Sequence, residues 1–139
     1  MTPKKLTAAQ LRRIEKAVDS VPFARLLGIE VETVEPGAAT LALAIRPELK
    51  QNHGVVHGGA VASLIDTATA FAILSLLARG EKITTVDLTI SYLRPLTAGR
   101  ATAKARVVRA GRRLFVVSAE VFDGEGKLAA TALSTYIKV

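Results

Sequence analysis

The stretch that decides the fold runs from His57 to Arg79 and reads HGGAVASLIDTATAFAILSLLAR. From Ala60 to Arg79 it contains no Gly or Pro, so we predict a helix about 30 Å long that ends before Gly80. A membrane span would have a similar length. However, Asp66 lies inside the stretch, and a carboxylate at the centre of a bilayer costs about 3 kcal/mol. We therefore predict a buried helix and no membrane contact.

The segments on both sides of this helix have the period-two alternation that is typical of strands. IEVETV and TLALAI precede the helix and flank a turn at residues 35–37, and four longer runs rich in β-branched residues follow it. This order predicts an α+β fold in which an antiparallel sheet, built from hairpins, wraps around one long central hydrophobic helix. We assign residues 21–139 to this domain and residues 1–20 to a basic helical extension capped by Thr7.

The composition limits the classes of protein that the chain can represent. Of the 139 residues, 50% are hydrophobic and 22% are charged, which excludes a disordered chain. The absence of Cys excludes disulfides and thiolate chemistry, and with two His we predict no metal site. The N-terminus lacks the apolar stretch of a secretory signal, so the expected compartment is the cytoplasm.

The net charge of +7 has a local origin. No acidic residue lies between Asp87 and Glu120, and this interval holds seven basic residues, which equal the whole excess. No nucleic-acid-binding signature accompanies them, so we do not predict a nucleic-acid partner. The seven are Arg94, Arg100, Lys104, Arg106, Arg109, Arg112 and Arg113.

Two features of the helix predict chemistry. Gly58 and Gly59 open it, and the first amides of a helix have no internal acceptor, which suits an oxyanion that develops on a carbonyl. Asp66 lies in its apolar interior with no Lys or Arg within four positions, which favours a site carboxylate over a local ion pair. About 12 Å separates Gly58 from Asp66 along the axis. If both act on one carbonyl, two antiparallel copies of the helix must each supply one half, as in a two-fold dimer.

The stretch from Gln51 to Asp66, with HGG at 57–59 and nine positions from His57 to the acid, resembles the hotdog-fold acyl-CoA thioesterases of the PaaI and 4-hydroxybenzoyl-CoA thioesterase type. The resemblance implies hydrolysis of an acyl-CoA thioester to a carboxylic acid and coenzyme A. Gly58 is then the oxyanion glycine. Asp66 acts opposite Gly58 of the partner subunit, either as nucleophile or as general base for water.

The resemblance also implies roles for four further residues. Gln51 matches a side-chain amide that helps to hold the carbonyl, with Asn52 as the alternative if the loop is shifted by one position. His57 supports the loop and Gln51 rather than exchanging protons. Thr85 falls where some relatives place a Ser that orients water or the carboxylate.

Coenzyme A is part of the implied substrate, so no separate cofactor is expected. Its phosphates would be held by the basic residues that flank the turn at 110–111, namely Arg109, Arg112 and Arg113. The implied assembly is a homodimer, and homotetramers are common in the family. Two alternatives stay open on the same fold: an acyl-CoA-binding sensor without catalysis, and a dehydratase or hydratase.

Overall fold

A computed structural model describes residues 5–139; residues 1–4 of the predicted N-terminal extension lie outside the described range. A short 3₁₀ turn covers Pro47–Leu49. The other elements are α1 (Ala8–Ser20), α2 (Pro22–Leu27), β1 (Ile29–Glu35), β2 (Ala38–Ala44), α3 (Gly58–Leu74), β3 (Ile83–Tyr92), β4 (Arg100–Ala110), β5 (Leu114–Phe122) and β6 (Leu128–Lys138).

The six strands form one antiparallel sheet in the order β1-β2-β4-β5-β6-β3. Hairpins connect β1 to β2, β4 to β5 and β5 to β6, as the turn signals predicted. The prediction of hairpins throughout is wrong for β3, which pairs with β6 rather than with its sequence neighbour β4. As a result β3 is an edge strand.

The central helix packs on the inner face of this sheet, which confirms the predicted α+β architecture. Its Leu64, Ile65 and Phe71 are buried against β2, β4 and β5. The sheet presents several small side chains beneath the helix, so the helix axis can approach the strands closely. They are Ala39, Ala101, Ala103, Ala105 and Ala119.

The helix begins two residues earlier and ends five residues earlier than the predicted range of 60–79. Its end is set by a tertiary contact. The Ser75 hydroxyl donates to the carbonyl of Ala72 and accepts from the backbone N–H of Gly37 in the β1–β2 turn. The chain then closes in a turn, with the Leu76 N–H donating to the Ile73 carbonyl. In residues 5–139 no helix has both the length and the apolarity needed to cross a bilayer.

The N-terminal helices cover one end of the core. Thr7 caps α1 as predicted, in a capping box with Gln10, and Ile14 is its buried residue. Gly28 ends α2 in the left-handed conformation, which a residue with a side chain rarely adopts.

Candidate active site

His57 is the N-cap residue of α3. Its backbone is extended, and its Nδ1 accepts a hydrogen bond of 2.8 Å from the N–H of Gly59. The Ala60 and Val61 N–H groups donate to the His57 carbonyl. The remaining amide of the first turn, that of Gly58, has no acceptor within the described residues and is available to a ligand.

The two glycines are favoured by close neighbours rather than by unusual dihedral angles. A Cβ on Gly59 would lie 2.9 Å from His57 Nδ1, and a Cβ on Gly58 would lie 3.3 Å from the Tyr92 ring and hydroxyl. The Tyr92 hydroxyl also donates to the Gly58 carbonyl at 2.9 Å. Tyr92, at the end of β3, therefore fixes the glycine whose N–H is free.

Gln51 lies beside Gly58 in a tight loop held by the bridge between residues 50 and 56. Its side-chain oxygen accepts from the His53 N–H at 2.6 Å, which leaves the amide NH₂ group to donate elsewhere. The backbone of His53 thus orients this amide. The support of Gln51 by His57 that the resemblance implies stays a prediction. Asn52 is exposed in the same turn, and its side chain forms no hydrogen bond within residues 5–139.

A cavity of about 340 Å³ adjoins Gly58 and Gln51. Its wall is mainly apolar, and Arg94 is the one charged side chain in it. An acyl or aryl group suits such a wall. The apolar and aromatic lining residues are Val55, Val56, Val61, Tyr92, Leu93, Pro95, Leu96 and Ala129.

Asp66 is half-buried in the middle of α3 and accepts two side-chain hydrogen bonds on the same oxygen. Thr85 Oγ1 on β3 donates to Oδ1 at 2.9 Å, and the Tyr136 hydroxyl on β6 lies 2.8 Å from Oδ1. The described residues provide no recorded partner for Oδ2. The Thr85 hydroxyl thus contacts the carboxylate, and the orienting role that the resemblance implies for it stays a prediction.

Tyr136 is the residue of this cluster that the sequence analysis missed. Its side chain is 2% exposed, and its hydroxyl lies 2.7 Å from Thr69 Oγ1 and 2.7 Å from the Asp66 backbone carbonyl. Burial raises the pKa of the Tyr136 phenol well above its ordinary value, and the negative charge of Asp66 acts in the same direction. The phenol is therefore a neutral hydrogen-bond donor at physiological pH.

A β-bulge at Val86 aims Thr85 at the helix. The register of β3 against β6 shifts between Thr85 and Asp87, where Val86 is the extra residue. Beyond the bulge, the Ser134 hydroxyl donates to the Asp87 carbonyl at 2.9 Å and makes no contact with Asp66. Such bulges commonly re-aim side chains beside active sites.

One chain therefore carries two separate clusters on one helix. Gly58 and Gln51 form the first, and Asp66 and Thr85 form the second, about 12 Å further along the axis. Strand β3 runs antiparallel to α3 and contacts both clusters, with Thr85 at one and Tyr92 at the other. Tyr92, like Tyr136, carries no motif in the sequence and was not predicted.

Some of the basic side chains between Asp87 and Glu120 interact with other residues of the chain, and others form no ion pair. Arg100 pairs with Glu30 and Glu32 at 2.9 and 3.0 Å, and the two carboxylates raise its pKa. Lys104 Nζ lies over the Phe122 ring, 5.3 Å from its centroid. The three predicted phosphate ligands are exposed at the β4–β5 turn and form no ion pair within the described chain: Arg109, Arg112 and Arg113.

This turn lies at the end of the molecule that holds the C-terminus of α3. The Val107 N–H of β4 donates to the Gly37 carbonyl, and the Gly37 N–H donates to Ser75, the residue after α3. The basic patch formed by Arg109, Arg112 and Arg113 is thus nearer to the Asp66 cluster than to the Gly58 cluster along the helix. No group of three His, Asp or Glu side chains suited to a metal occurs in the part of the chain that the structure describes.

The fold and the site define the class. Residues 53–130 match the family model described as the thioesterase superfamily, so the chain belongs to that superfamily and is a thioester hydrolase of the hotdog fold. The matched range contains the HGG motif, Asp66 and Thr85.

Individual relatives agree with this assignment. The chain is 34% identical, over 149 aligned positions, to the medium/long-chain acyl-CoA thioesterase YigI of Escherichia coli strain K12, with 95% of this chain and 96% of YigI covered. It is 35% identical over 111 residues to a putative esterase of Saccharolobus solfataricus, with 80% of this chain and 73% of that esterase covered. The solved structure of the E. coli PaaI protein from the phenylacetic acid degradation operon superposes with a TM-score of 0.88 at 27% identity, covering 96% of each chain.

Proposed function

We propose that this protein hydrolyses acyl-CoA thioesters in two equivalent sites that two copies of the chain share. One observation carries the proposal: a free helix-terminal N–H at Gly58 and a half-buried carboxylate at Asp66 lie on the same helix, about 12 Å apart. Reaction at one carbonyl needs both groups within about 3 Å of the reacting atoms. A single chain does not meet this requirement, and an antiparallel pair does.

The surface around the helix supports a second copy as its occupant. Every third or fourth residue of α3 on this side is small or polar and is exposed or half-buried, including Gly59, Ser63 and Ala70. Beside it lies the edge strand β3, where Val86 and Tyr92 are 58% and 54% exposed. An open edge strand with exposed apolar side chains pairs readily with another strand. A two-fold axis here would join two β3 strands and set the helices antiparallel.

The proposed reaction uses three groups. The Gly58 N–H and the free Gln51 amide of one chain hold the thioester carbonyl oxygen and stabilise the negative charge that develops on it. The partner's Asp66 either removes a proton from an attacking water or attacks the carbonyl carbon itself, and water then hydrolyses the mixed anhydride. In both routes the C–S bond breaks, the thiolate of coenzyme A leaves and takes a proton, and water supplies the new oxygen of the carboxylic acid.

The acyl group would occupy the apolar cavity beside Gly58, and the nucleotide would extend towards a basic surface. YigI is named for medium- and long-chain acyl-CoA, which makes these thioesters the first substrates to test. The exposed arginines at the β4–β5 turn are the proposed ligands of the phosphates. Coenzyme A enters as part of the substrate, and no separate cofactor is proposed.

The test is a panel of acyl-CoA thioesters of increasing chain length, with thiol release as the readout. The wild-type protein is expected to turn over at least one class of thioester, and Asp66→Asn to bind the same thioester but lose turnover while remaining folded. Binding by the wild type without thiol release would refute hydrolysis and indicate an acyl-CoA sensor. Unchanged hydrolysis in Asp66→Asn would remove the carboxylate from the mechanism.

A further inference from the structure

The buried hydroxyl of Tyr136 takes no part in the proposed reaction but contacts its carboxylate. Two hydroxyl donors, Thr85 Oγ1 and Tyr136 OH, converge on Oδ1 of Asp66 at 2.9 and 2.8 Å. The other carboxylate oxygen, Oδ2, has no recorded partner in residues 5–139. The two oxygens of this carboxylate are therefore not equivalent.

The relative strengths of the acceptors favour one arrangement of the protons in this cluster. Thr69 Oγ1 has helix carbonyls at 3.0 and 3.1 Å and the Tyr136 oxygen at 2.7 Å, so its proton always has an acceptor. The single Tyr136 proton has three acceptors within reach: the Asp66 carbonyl, Asp66 Oδ1 and Thr69 Oγ1, since either hydroxyl can donate in the Thr69–Tyr136 contact. The ionised carboxylate is the strongest acceptor, and hydrogen bonds to a charged oxygen are roughly twice as strong as neutral ones.

The surroundings hold this arrangement rigidly. Tyr136 is 2% exposed and is fixed on β6 between β5 and β3, whereas Thr85 lies on the exposed edge strand. Because the phenol lies inside the core, its position does not depend on what covers β3. Without Tyr136, the carboxylate would be held at Oδ1 by Thr85 alone.

We propose that Tyr136 is a positioning residue that anchors Asp66 through Oδ1 and presents Oδ2 as the reacting oxygen. This proposal rests on the proposed hydrolytic function. Since Tyr136 lies behind the carboxylate in the core, it acts through Asp66 and does not touch the substrate. It deepens the mechanism, because the oxygen that attacks carbon or accepts a water proton is then Oδ2 in either route.

The primary test is Tyr136→Phe, which keeps the ring and removes one oxygen. Thr69 retains its helix carbonyls as acceptors, so no buried donor is left unpaired. We expect kcat to fall about tenfold while KM stays within about twofold, since a charge-assisted bond is lost at the reacting group and not at the binding surface. Unchanged kcat in a folded variant would overturn the proposal.

Ser134→Ala is the matched control. Ser134 lies on the same strand two residues earlier, is 1% exposed, and donates one buried hydrogen bond, but to the Asp87 carbonyl instead of Asp66. A general effect of removing a buried hydroxyl from β6 would lower kcat equally in both variants, and that result would overturn a specific role for Tyr136.

Double variants distinguish a positioning role of Tyr136 from a purely structural one. In an Asp66→Asn background, adding Tyr136→Phe should leave the residual rate unchanged, because the tyrosine acts only through the carboxylate. A further loss of similar size would overturn the proposal. Combining Tyr136→Phe with Thr85→Val should cost more than the two single effects together, since Oδ1 then loses both donors; simple additivity would count against a shared anchor.

The outcomes distinguish this proposal from the proposed function. A wild-type protein with no hydrolase activity on the acyl-CoA panel would overturn both. Activity that is lost in Asp66→Asn and retained in Tyr136→Phe would overturn only the role of the tyrosine. If Tyr136→Phe fails to fold, fluorotyrosine is incorporated into Tyr92→Phe protein, in which Tyr136 is the one remaining tyrosine. The fluorine makes the phenol at position 136 more acidic without removing it. A changed kcat relative to the same protein with ordinary tyrosine supports the proposal, and an unchanged kcat overturns it.

Discussion

Mixing two inactive variants tests whether two chains share each site, because the geometry of the dimer sets the fraction of activity that should be recovered. In the proposed dimer each site takes Gly58 from one chain and Asp66 from the other. Gly58→Ala is expected to lose most of its activity, because the new Cβ would lie 3.3 Å from the Tyr92 ring and the shift that relieves this tight contact would move the oxyanion donor. Asp66→Asn is expected to be inactive through loss of the carboxylate.

A mixed dimer of these two variants contains one site with both groups intact and one site with both defective. Random exchange of equal amounts makes about half of the dimers mixed, so recovery should approach about one quarter of the wild-type rate per site. The assay is thiol release after the two proteins have been unfolded and refolded together. Dimers that carry distinguishable affinity tags on the two chains establish that exchange has occurred.

The matched control mixes Gly58→Ala with Gln51→Ala. These residues border the same cavity of one chain, so every site of the mixed dimer carries one of the two defects and recovery should be absent. If Gly58→Ala and Asp66→Asn also fail to recover activity, although exchange is proven, the site is not divided as proposed.

Two further predictions concern the basic patch and the helix cap. Arg112→Glu with Arg113→Glu should raise KM for CoA thioesters about tenfold, which corresponds to about 1.4 kcal/mol of lost phosphate binding, and leave KM for short thioesters without the nucleotide unchanged. The exposed pair Arg12→Glu with Lys16→Glu is the control, and equal effects on both substrate types would reduce the patch to a solubilising surface. His57→Ala should lower the free energy of unfolding by about 1 kcal/mol in a urea titration, and His57→Asn should restore it, since Asn is a good N-cap. Loss of activity in the stable Asn variant would assign the imidazole a chemical role.

Most of the fold could be predicted because it follows local patterns. The change from period two to a long run without Gly or Pro located α3, and the turn residues located the hairpins. The pairing of β3 with β6 could not be read from the chain, because the choice between two neighbouring strands depends on non-local packing. The end of α3 was predicted five residues late for a similar reason. Residues 75–79 contain no helix breaker, and the helix ends where Ser75 meets Gly37.

In the candidate site, too, the residues set by local sequence could be predicted and those set by non-local packing could not. Asp66 was identifiable because an acid without a local partner is unusual in an apolar helix. Thr85 followed from the resemblance, and the structure places its hydroxyl on the carboxylate. Tyr136 is 70 residues from Asp66 and carries no motif, so its contact depends entirely on the strand order. The catalytic roles of all these residues remain predictions that the variants above test.

The placement of the two tyrosines gives this molecule an intrinsic optical probe. The chain contains no tryptophan, so its near-ultraviolet absorbance and emission come mainly from Tyr92 and Tyr136. One phenol is hydrogen-bonded at Gly58 and is half exposed, and the other is hydrogen-bonded at Asp66 and is buried. A soluble quencher should therefore reach the first and spare the second. Changes at the Gly58 cluster and at the Asp66 cluster can then be followed separately, without labels, as substrate or a second chain is added.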